Sequence, residues 1–388
     1  MYGMKKIVLI VLGLWLSLSA GAVNYCAEKA WGYGSSATGG GNVSPTLVSK
    51  SSELKTALKS SNKVIIITKN ITLDGQLSSD KSNLTILALP GVKLVNTNQT
   101  KENSGILYLT GSNIILRNLT FEGPGAYDCD GKDNLTLDGA KNVWVDHCDF
   151  QDGIDGNFDI KGKSDNITVT WCRFRYLKEP KAGGPGGADD HRFSNLVGAS
   201  SSDKPADGTY NITYGYCWWD EGCKQRMTRC RNALIHYLNC YWNSSVADYY
   251  VGPEKVSSYF EGCTFAGKAN SAKNIYKAFN STTNYCLFVN CTGNLPANTS
   301  NVSAPSYAYD QLTAANAKSY VIHSTCGAGA TLTVTNQGAV SSSCGDPQGL
   351  NETAGAQNEG AAHKVLRQGQ ILIQREGRWY NLLGGRIH

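Results

Sequence analysis

The stretch NVWVDHCDFQDGIDGNFDIKG, residues 142–162, holds two alternating segments joined by a carboxylate-rich turn. Val143 and Val145 alternate with Trp144 and Asp146, and Phe158 and Ile160 with Asp159 and Lys161, so each segment reads as a strand with one apolar face. Its first nine residues recur: NIILRNLTF from 113, NVWVDHCDF from 142, NITVTWCRF from 166 and NITYGYCWW from 211. Aligned on the residue two before the final aromatic, the register runs Leu119, Cys148, Cys172, Cys217, and continues through Cys240, Cys263 and Cys291. The gaps are 23 to 29 residues, apart from one of 45. A fixed period in this range means a solenoid. The repeats are short and rich in Val, Ile, Thr and aromatics, with Asn and Gly between them and no helix-length pattern. They predict an all-β, single-stranded parallel β-helix whose coils stack about 4.8 Å apart.

With the aligned positions turned inward, the six cysteines form a ladder of buried thiols, because unpaired buried cysteine packs as a small hydrophobe. Of the 13 cysteines, Cys326 with Cys344, and Cys223 with Cys230, are placed to bridge. The long gap holds KEPKAGGPGGADDHRFSNLVGASSSDKPADG, residues 178–208, whose Gly, Pro and Ser content predicts a long surface loop at the functional face. SSELKTALKS, residues 51–60, predicts a short amphipathic cap on the open end of the solenoid. Residues 307–318 are expected to lie back along its body.

The chain has 388 residues and a formal net charge of +5. Lys5 and Lys6 precede the apolar run 7–18 and the small-residue site Ala20-Gly21-Ala22, the three parts of a secretory signal peptide. That run is shorter than the roughly 20 residues of a membrane span. Setting aside the two leader lysines, and the tail after residue 350 with five Lys or Arg against three Glu, leaves +1 for the body. Such a balance is no nucleic-acid footprint. Attraction for a polyanion has to come from a local basic cluster. The expected layout is a signal peptide at 1–22, the β-helix at 23–345, a polar linker at 346–360 and a β-rich tail at 361–388. The mature chain is expected to be a monomer without a membrane span, secreted or at the cell surface.

Asp159 and Lys161 fall on the outward side of their strand and are expected to project together into solvent. Asp155 sits four residues upstream in a Gly-flanked turn, and Asp130 and Asp133 lie in DCDGKDN. Carboxylates converging on turns suit a hard cation such as Ca2+, which takes roughly six to eight oxygens in flexible geometry. The same residues also suit the ordinary Asp-Gly turns of a loop-rich β protein.

Three ordered motifs, VWVDH at 143–147, D-x-x-x-D-I-K-G at 155–162 and RMTRCRNALIHYLNCYW at 226–242, together resemble the pectate lyases of polysaccharide lyase family 1, over about residues 27–344. The resemblance implies a right-handed parallel β-helix and calcium-dependent β-elimination on de-esterified homogalacturonan, an acidic polysaccharide. Carried over position by position, it places the calcium carboxylates on Asp133, Asp155 and Asp159, with Asp130 a candidate fourth. It places the catalytic arginine on Arg226 and a second, supporting arginine on Arg231. The substrate-facing basic residues are Lys161 and one of Lys178, Lys181 or Arg192. Asp146, His147 and His236 are read as structural. Thr228 stands where the family usually has proline, which loosens a backbone constraint beside the base. The tail, KVLRQGQILIQREGRWYNLLGGRI from 364, resembles the C-terminal sorting tails of exported Bacteroidetes proteins.

Three other readings compete. A pectin lyase takes the methyl ester without metal, and Asp133, Asp155 and Asp159 speak against it. A β-helical glycoside hydrolase would use Asp152 with Asp155, or Asp189 with Asp190, as acid and base. A polysaccharide-binding β-helix would have no activity at all.

Overall fold

The computed structural model describes residues 24–280 and 282–344 and, beyond them, the backbone of four strands between 363 and 387. The expected signal peptide and linker lie outside the described residues. The chain separates into two compact units, 1–346 and 347–388.

In the first unit each central coil contributes three strands. The first face stacks Leu84–Ala88, Ile114–Arg117, Lys141–Asp146, Asp165–Thr170 and Tyr210–Gly215. The second includes Thr120–Glu122, Asp149–Gln151, Arg173–Arg175, Trp218–Trp219 and Tyr241–Trp242. The third includes Leu107–Leu109, Leu135–Asp138, Phe158–Lys161 and Asn195–Val197. The pairings along each face are parallel, which is the expected parallel β-helix. Arg229–Leu238 and Gly252–Glu261 run through from the third face to the first. These two faces therefore join as one 15-stranded sheet, while the second stays a separate sheet of eight.

The repeat phrase has a backbone cause. Between the first and second faces the chain turns on one residue in the left-handed region, placed directly before each aligned Leu or Cys: Asn118, His147, Trp171, Tyr216, Asn239, Gly262 and Asn290, with φ of 48 to 59°. Asparagine and glycine accept this conformation readily; a bulky residue adopts it at about 1–2 kcal/mol. The bulky corners are compensated outside the barrel. The Trp171 ring stacks on Tyr216 at 4.6 Å, His147 stacks on Trp171 at 5.6 Å, and Tyr25 packs against Trp171 at 5.1 Å.

Inside, the residue two after each aligned Leu or Cys builds an aromatic column. Phe121, Phe150, Phe174, Trp219, Trp242 and Phe265 stack in turn with centroids 4.5 to 5.4 Å apart. The cysteines between them stay reduced, as expected, and their Sγ–H groups reach carbonyls of the preceding coil. Cys217 meets Val169 O at 3.4 Å, Cys240 meets Tyr214 O at 3.5 Å and Cys263 meets Tyr237 O at 3.3 Å.

The helix Ser51–Ala57 closes the N-terminal end and buries Leu54 and Ala57, as its spacing predicts. Residues 307–312 lie along the first face: Tyr307 Oη contacts Thr213 Oγ1 at 2.7 Å and His236 Nδ1 at 2.8 Å, and Asn239 exchanges hydrogen bonds with the Leu312 backbone. An N-terminal arm that the sequence did not announce covers the same face. The Gly34 amide donates to Thr168 Oγ1 at 2.9 Å, and a Cβ there would come within 2.6 Å of Val143 O, so only glycine fits.

Two expectations are corrected. The 178–208 insertion is not all loop: Asn195–Val197 within it is that coil's own third-face strand, pairing with Phe158–Lys161 and Arg229–Leu238, because Phe193, Asn195 and Val197 are buried at alternating positions despite the Gly- and Ser-rich flanks. Cys223 and Cys230 do not bridge; both are buried free thiols in different stacking environments, Cys223 against Phe174 O at 3.2 Å and Cys230 towards Gly252 O. Cys326 and Cys344 do form a disulfide. In the second unit, His363–Arg367, Gln370–Arg375, Arg378–Tyr380 and Arg386–Ile387 make an antiparallel four-stranded sheet.

Thiol titration checks the ladder. Denatured, unreduced protein is expected to yield the 11 free thiols, and native protein only Cys26 and Cys291, which are not fully buried. Recovery of three or fewer thiols after denaturation would mean that the column is oxidised.

Candidate active site

Successive turns from the second face to the third bring the chemistry together. Leu135 pairs with Phe158, Phe158 with Asn195, and Leu196 with Arg229. Asp133, Gly156 and Phe193 each stand two residues ahead of Leu135, Phe158 and Asn195 and line up across three coils; in the next coil Gln225 bridges to Phe193, and Arg226 follows it directly. The contacts follow this register. The Arg226 guanidinium lies 4.4 Å over the Phe193 ring, and a Cβ on Gly156 would meet Asp133 Oδ1 at 2.7 Å and Asp159 Oδ1 at 3.5 Å. Gly156 is thus the floor against which two carboxylates close.

Asp159 and Lys161 share the outward side of their strand, but Asp159 does not project into solvent. It is 6 % exposed and Asp133 is 3 % exposed, with Asp159 in register between Thr136 and Leu196 of the coils on either side. Burial, and then the Asp155 charge, push the Asp133 carboxyl up to about 6; burial and Asp133 push Asp159 well above the usual range. Thr136 Oγ1 donates to Asp133 at 3.0 Å. Lys161 and Arg226 offset part of the repulsion. Although burial works against its charge, Lys161 is held above its ordinary value by Asp133 and Asp159. Asp130 stands apart: its side chain is turned to solvent and paired with Lys101.

The arginines divide. Arg226 holds its place by stacking on Phe193. Arg231 Nε donates to Glu254 at 3.0 Å and its Nη1 to Gly198 O at 2.8 Å. Between them in sequence, and on the same side as Arg231, lies Arg229, whose Nη2 meets the same Glu254 oxygen at 2.8 Å. Burial opposes ionisation of Glu254, but its bonds from Arg231 and Arg229 hold it below the usual range. Thr228 points the other way, into the core, where its hydroxyl meets Tyr237 Oη at 2.6 Å.

Lys161 is the basic residue whose charge acts on both Asp133 and Asp159 together with Arg226. Lys178 donates to Gly123 O at 2.7 Å, Lys181 lies 4.2 Å over the Tyr127 ring, and Arg192 forms a two-pronged pair with Asp190 at 2.7 Å. Asp152 is spent on the amides of Leu177 and Lys178, and Asp190 on Arg192, which leaves neither well placed as a hydrolytic acid. Asp146 and His147 sit in a buried network in which Asp146 accepts from Arg117 at 2.8 Å and Thr170 at 2.6 Å.

Sequence reasoning missed Asp128, His191, Phe193, Arg229 and Glu254. Arg229 carried a usable signal, since R-C-R alternates at period two and puts Arg229 beside Arg231. DDH at 189–191 was another, a carboxylate–imidazole run in an otherwise small-residue insertion.

The sequence profile of the pectate lyase family matches residues 5–331. A pectate trisaccharide-lyase of Thermotoga maritima is 32% identical over 169 residues, 42% of this chain and 40% of that one; this chain thus spans about two fifths of the length of the first curated relatives it matches. A pectate trisaccharide-lyase of Bacillus licheniformis is 26% identical over 329 residues, 79% of this chain and 88% of that one. Among solved structures, a Bacillus subtilis pectate lyase mutant has a TM-score of 0.61 at 17% identity, covering 81% of this chain and 99% of that one. A pectate lyase bound to a hexasaccharide has a TM-score of 0.58 at 18% identity, covering 81% and 100%. Similarity at these identities carries the fold.

The raised carboxyls make a pH prediction. Asp133 and Asp159 bind protons more tightly folded than unfolded, so the stability they permit is complete below their ordinary values. It is lost as pH rises from about 4 through about 6. Asp159→Asn removes one of the repelling charges. In chelator-treated protein it should raise Tm by roughly 2 °C or more near pH 7 and leave it unchanged near pH 4. An unchanged or lower Tm near pH 7 in thermal denaturation would show that the pair is not repulsive.

Proposed function

The chain belongs to the pectate lyase family, and from that premise we propose that it is an exported polysaccharide lyase cleaving de-esterified homogalacturonan by calcium-assisted β-elimination. The observation that carries this reading is the line of Asp133, Gly156, Phe193 and Arg226 across adjacent coils, with Asp159 closing on Asp133. Those carboxylates, raised by burial first and then by neighbouring carboxylate charge, are a donor set suited to a hard divalent ion. Calcium held by Asp133, Asp155 and Asp159 would neutralise the enzyme's carboxylates and stabilise charge building on the substrate's own carboxylate.

In a polyuronate the C5 proton is α to a carboxylate, and its removal spreads a second negative charge over that group. Arg226 takes this proton. Stacking on Phe193 fixes the plane of its guanidine. Proton abstraction by so strong a base is favoured where protons are scarce, so turnover rises towards alkaline pH. Lys161 stays cationic beside the carboxylates. Arg231, anchored by Glu254, offers its remaining N–H groups to developing negative charge. The C5–H electrons form the C4–C5 double bond, and the C4 oxygen leaves with its bonding pair, without water.

Export is supported by the Cys326–Cys344 disulfide, a bond that persists in oxidising compartments. No helix among the described residues is long and apolar enough to cross a membrane. We assign the β-rich segment after 361 to sorting rather than to catalysis.

Incubation with polygalacturonate tests the whole reading. Wild type should release ultraviolet-absorbing unsaturated ends, chelator should abolish them, and a chain ending at Asp346 should match wild type. Arg226→Lys should keep calcium binding and lose turnover by roughly a hundredfold or more, because lysine cannot reproduce the stacked planar group. New reducing ends without absorbance would mean hydrolysis instead, and wild-type turnover in Arg226→Lys would remove Arg226 from the mechanism.

A further inference from the structure

A second set of donors lies beside the carboxylate pair. The insertion carries His191 into the site, where it is 6 % exposed. Its Nε2 is 3.1 Å from an Asp155 oxygen and its Nδ1 is 3.4 Å from an Asp128 oxygen. One donor atom from each of the three residues lies within 4.8 Å of the others. Asp128 is buried as well: one oxygen accepts the Ala188 amide at 2.8 Å, and the other faces the imidazole. Carboxylates gathered in a loop signify little alone. Here the imidazole gives a second, independent observation, because both of its buried nitrogens lack a partner in hydrogen-bonding geometry. Burial without a partner is costly, and an ion held between one ring nitrogen and the carboxylates removes that cost for it.

We propose that Asp128, Asp155 and His191 form a metal site of mixed nitrogen and oxygen donors, for a borderline divalent ion of the Mn2+ or Zn2+ class rather than for calcium. Imidazole suits such ions, whereas Ca2+ is bound through oxygen. Only one imidazole nitrogen faces a given ion, and with one donor atom taken from each residue the three lie within 4.8 Å of one another, close enough to share it. Three protein donors leave positions open for water or for a carboxylate of a bound polyanion. Asp155 also acts electrostatically on Asp133 and Asp159, so the two donor sets share one residue and their occupancies are coupled. The His191 ring packs 4.0 Å from Phe193, the platform of Arg226. An ion at His191 therefore fixes the segment of the insertion on which the arginine rests.

The test reads binding alone and is independent of the lyase reading. Chelator-treated full-length chain is dialysed to equilibrium against Mn2+, Zn2+ or Ca2+, with circular dichroism confirming the fold of each variant. Wild type should bind one Mn2+. His191→Ala and Asp128→Asn should weaken it by roughly tenfold or more, since even outer partners of a metal ligand are worth about 10- to 100-fold. Zn2+ should follow Mn2+, and Ca2+ should be weakened by Asp133→Asn and little changed by His191→Ala. If His191→Ala does not fold, His191→Phe keeps a ring against Phe193 and removes the nitrogens. Absence of Mn2+ binding, or equal affinity in wild type and both His191 variants, overturns the site. His191-dependent Mn2+ binding in a chain inactive on polygalacturonate overturns the lyase reading and leaves the site standing.

Discussion

Parallel stacking obliges every coil to repeat the side-chain directions of the one beneath it, and the rest of the molecule depends on that obligation. An inward aromatic in one coil needs a ring in the next, which the column from Phe121 to Phe265 supplies. Each fully buried ring is worth about 1.5–3 kcal/mol from burial and about 0.5–1.5 more from stacking. A left-handed corner at a bulky residue costs about 1–2 kcal/mol. Stacking therefore wins at each coil, which explains how Trp171 and Tyr216 occupy corners that asparagine would take more easily.

The same register assembles the candidate site. Residues far apart in sequence reach one place because each sits on the turn that leads into a paired strand, so no long-range loop has to find its partner. The consequence is electrostatic. Asp133 and Asp159 are brought together against Gly156 whether or not their charges are compensated, and the stacked core supplies the free energy that holds them there. On the other side of Arg226 the balance runs the opposite way: one buried Glu254 serves both Arg229 and Arg231. The site thus sets a surplus of negative charge beside a surplus of positive charge, with Arg226 between them in sequence.

The fold was legible because its period is written in residue types: corner, cysteine, aromatic. Asp133, Asp155, Asp159 and Arg226 were legible through the resemblance of their motifs, and the structure brings Asp133, Asp159 and Arg226 into mutual range. What could not be read was depth. Outward alternation places Asp159 on the solvent side of its strand, but only the neighbouring coils and the insertion decide that it is covered. The insertion itself misled, because its Gly and Ser content hid the strand Asn195–Val197 and the two rings, His191 and Phe193, that it carries inwards. Thr228, marked as a loss of backbone restraint, turns out to have a hydroxyl partner in Tyr237.

The cysteine column has a consequence for the life of the chain before it is folded. Eleven thiols and one disulfide in the finished molecule mean that a newly made chain in an oxidising compartment has many wrong pairings open to it and one right one. Exchange needs an accessible thiolate, and Cys148, Cys172, Cys217, Cys240 and Cys263 are buried, so a stacked coil withdraws its sulfur from that chemistry. The hazard is confined to the interval before stacking. Yield is then decided by a race between coil closure and oxidation, and each coil laid down protects its own sulfur without waiting for the last.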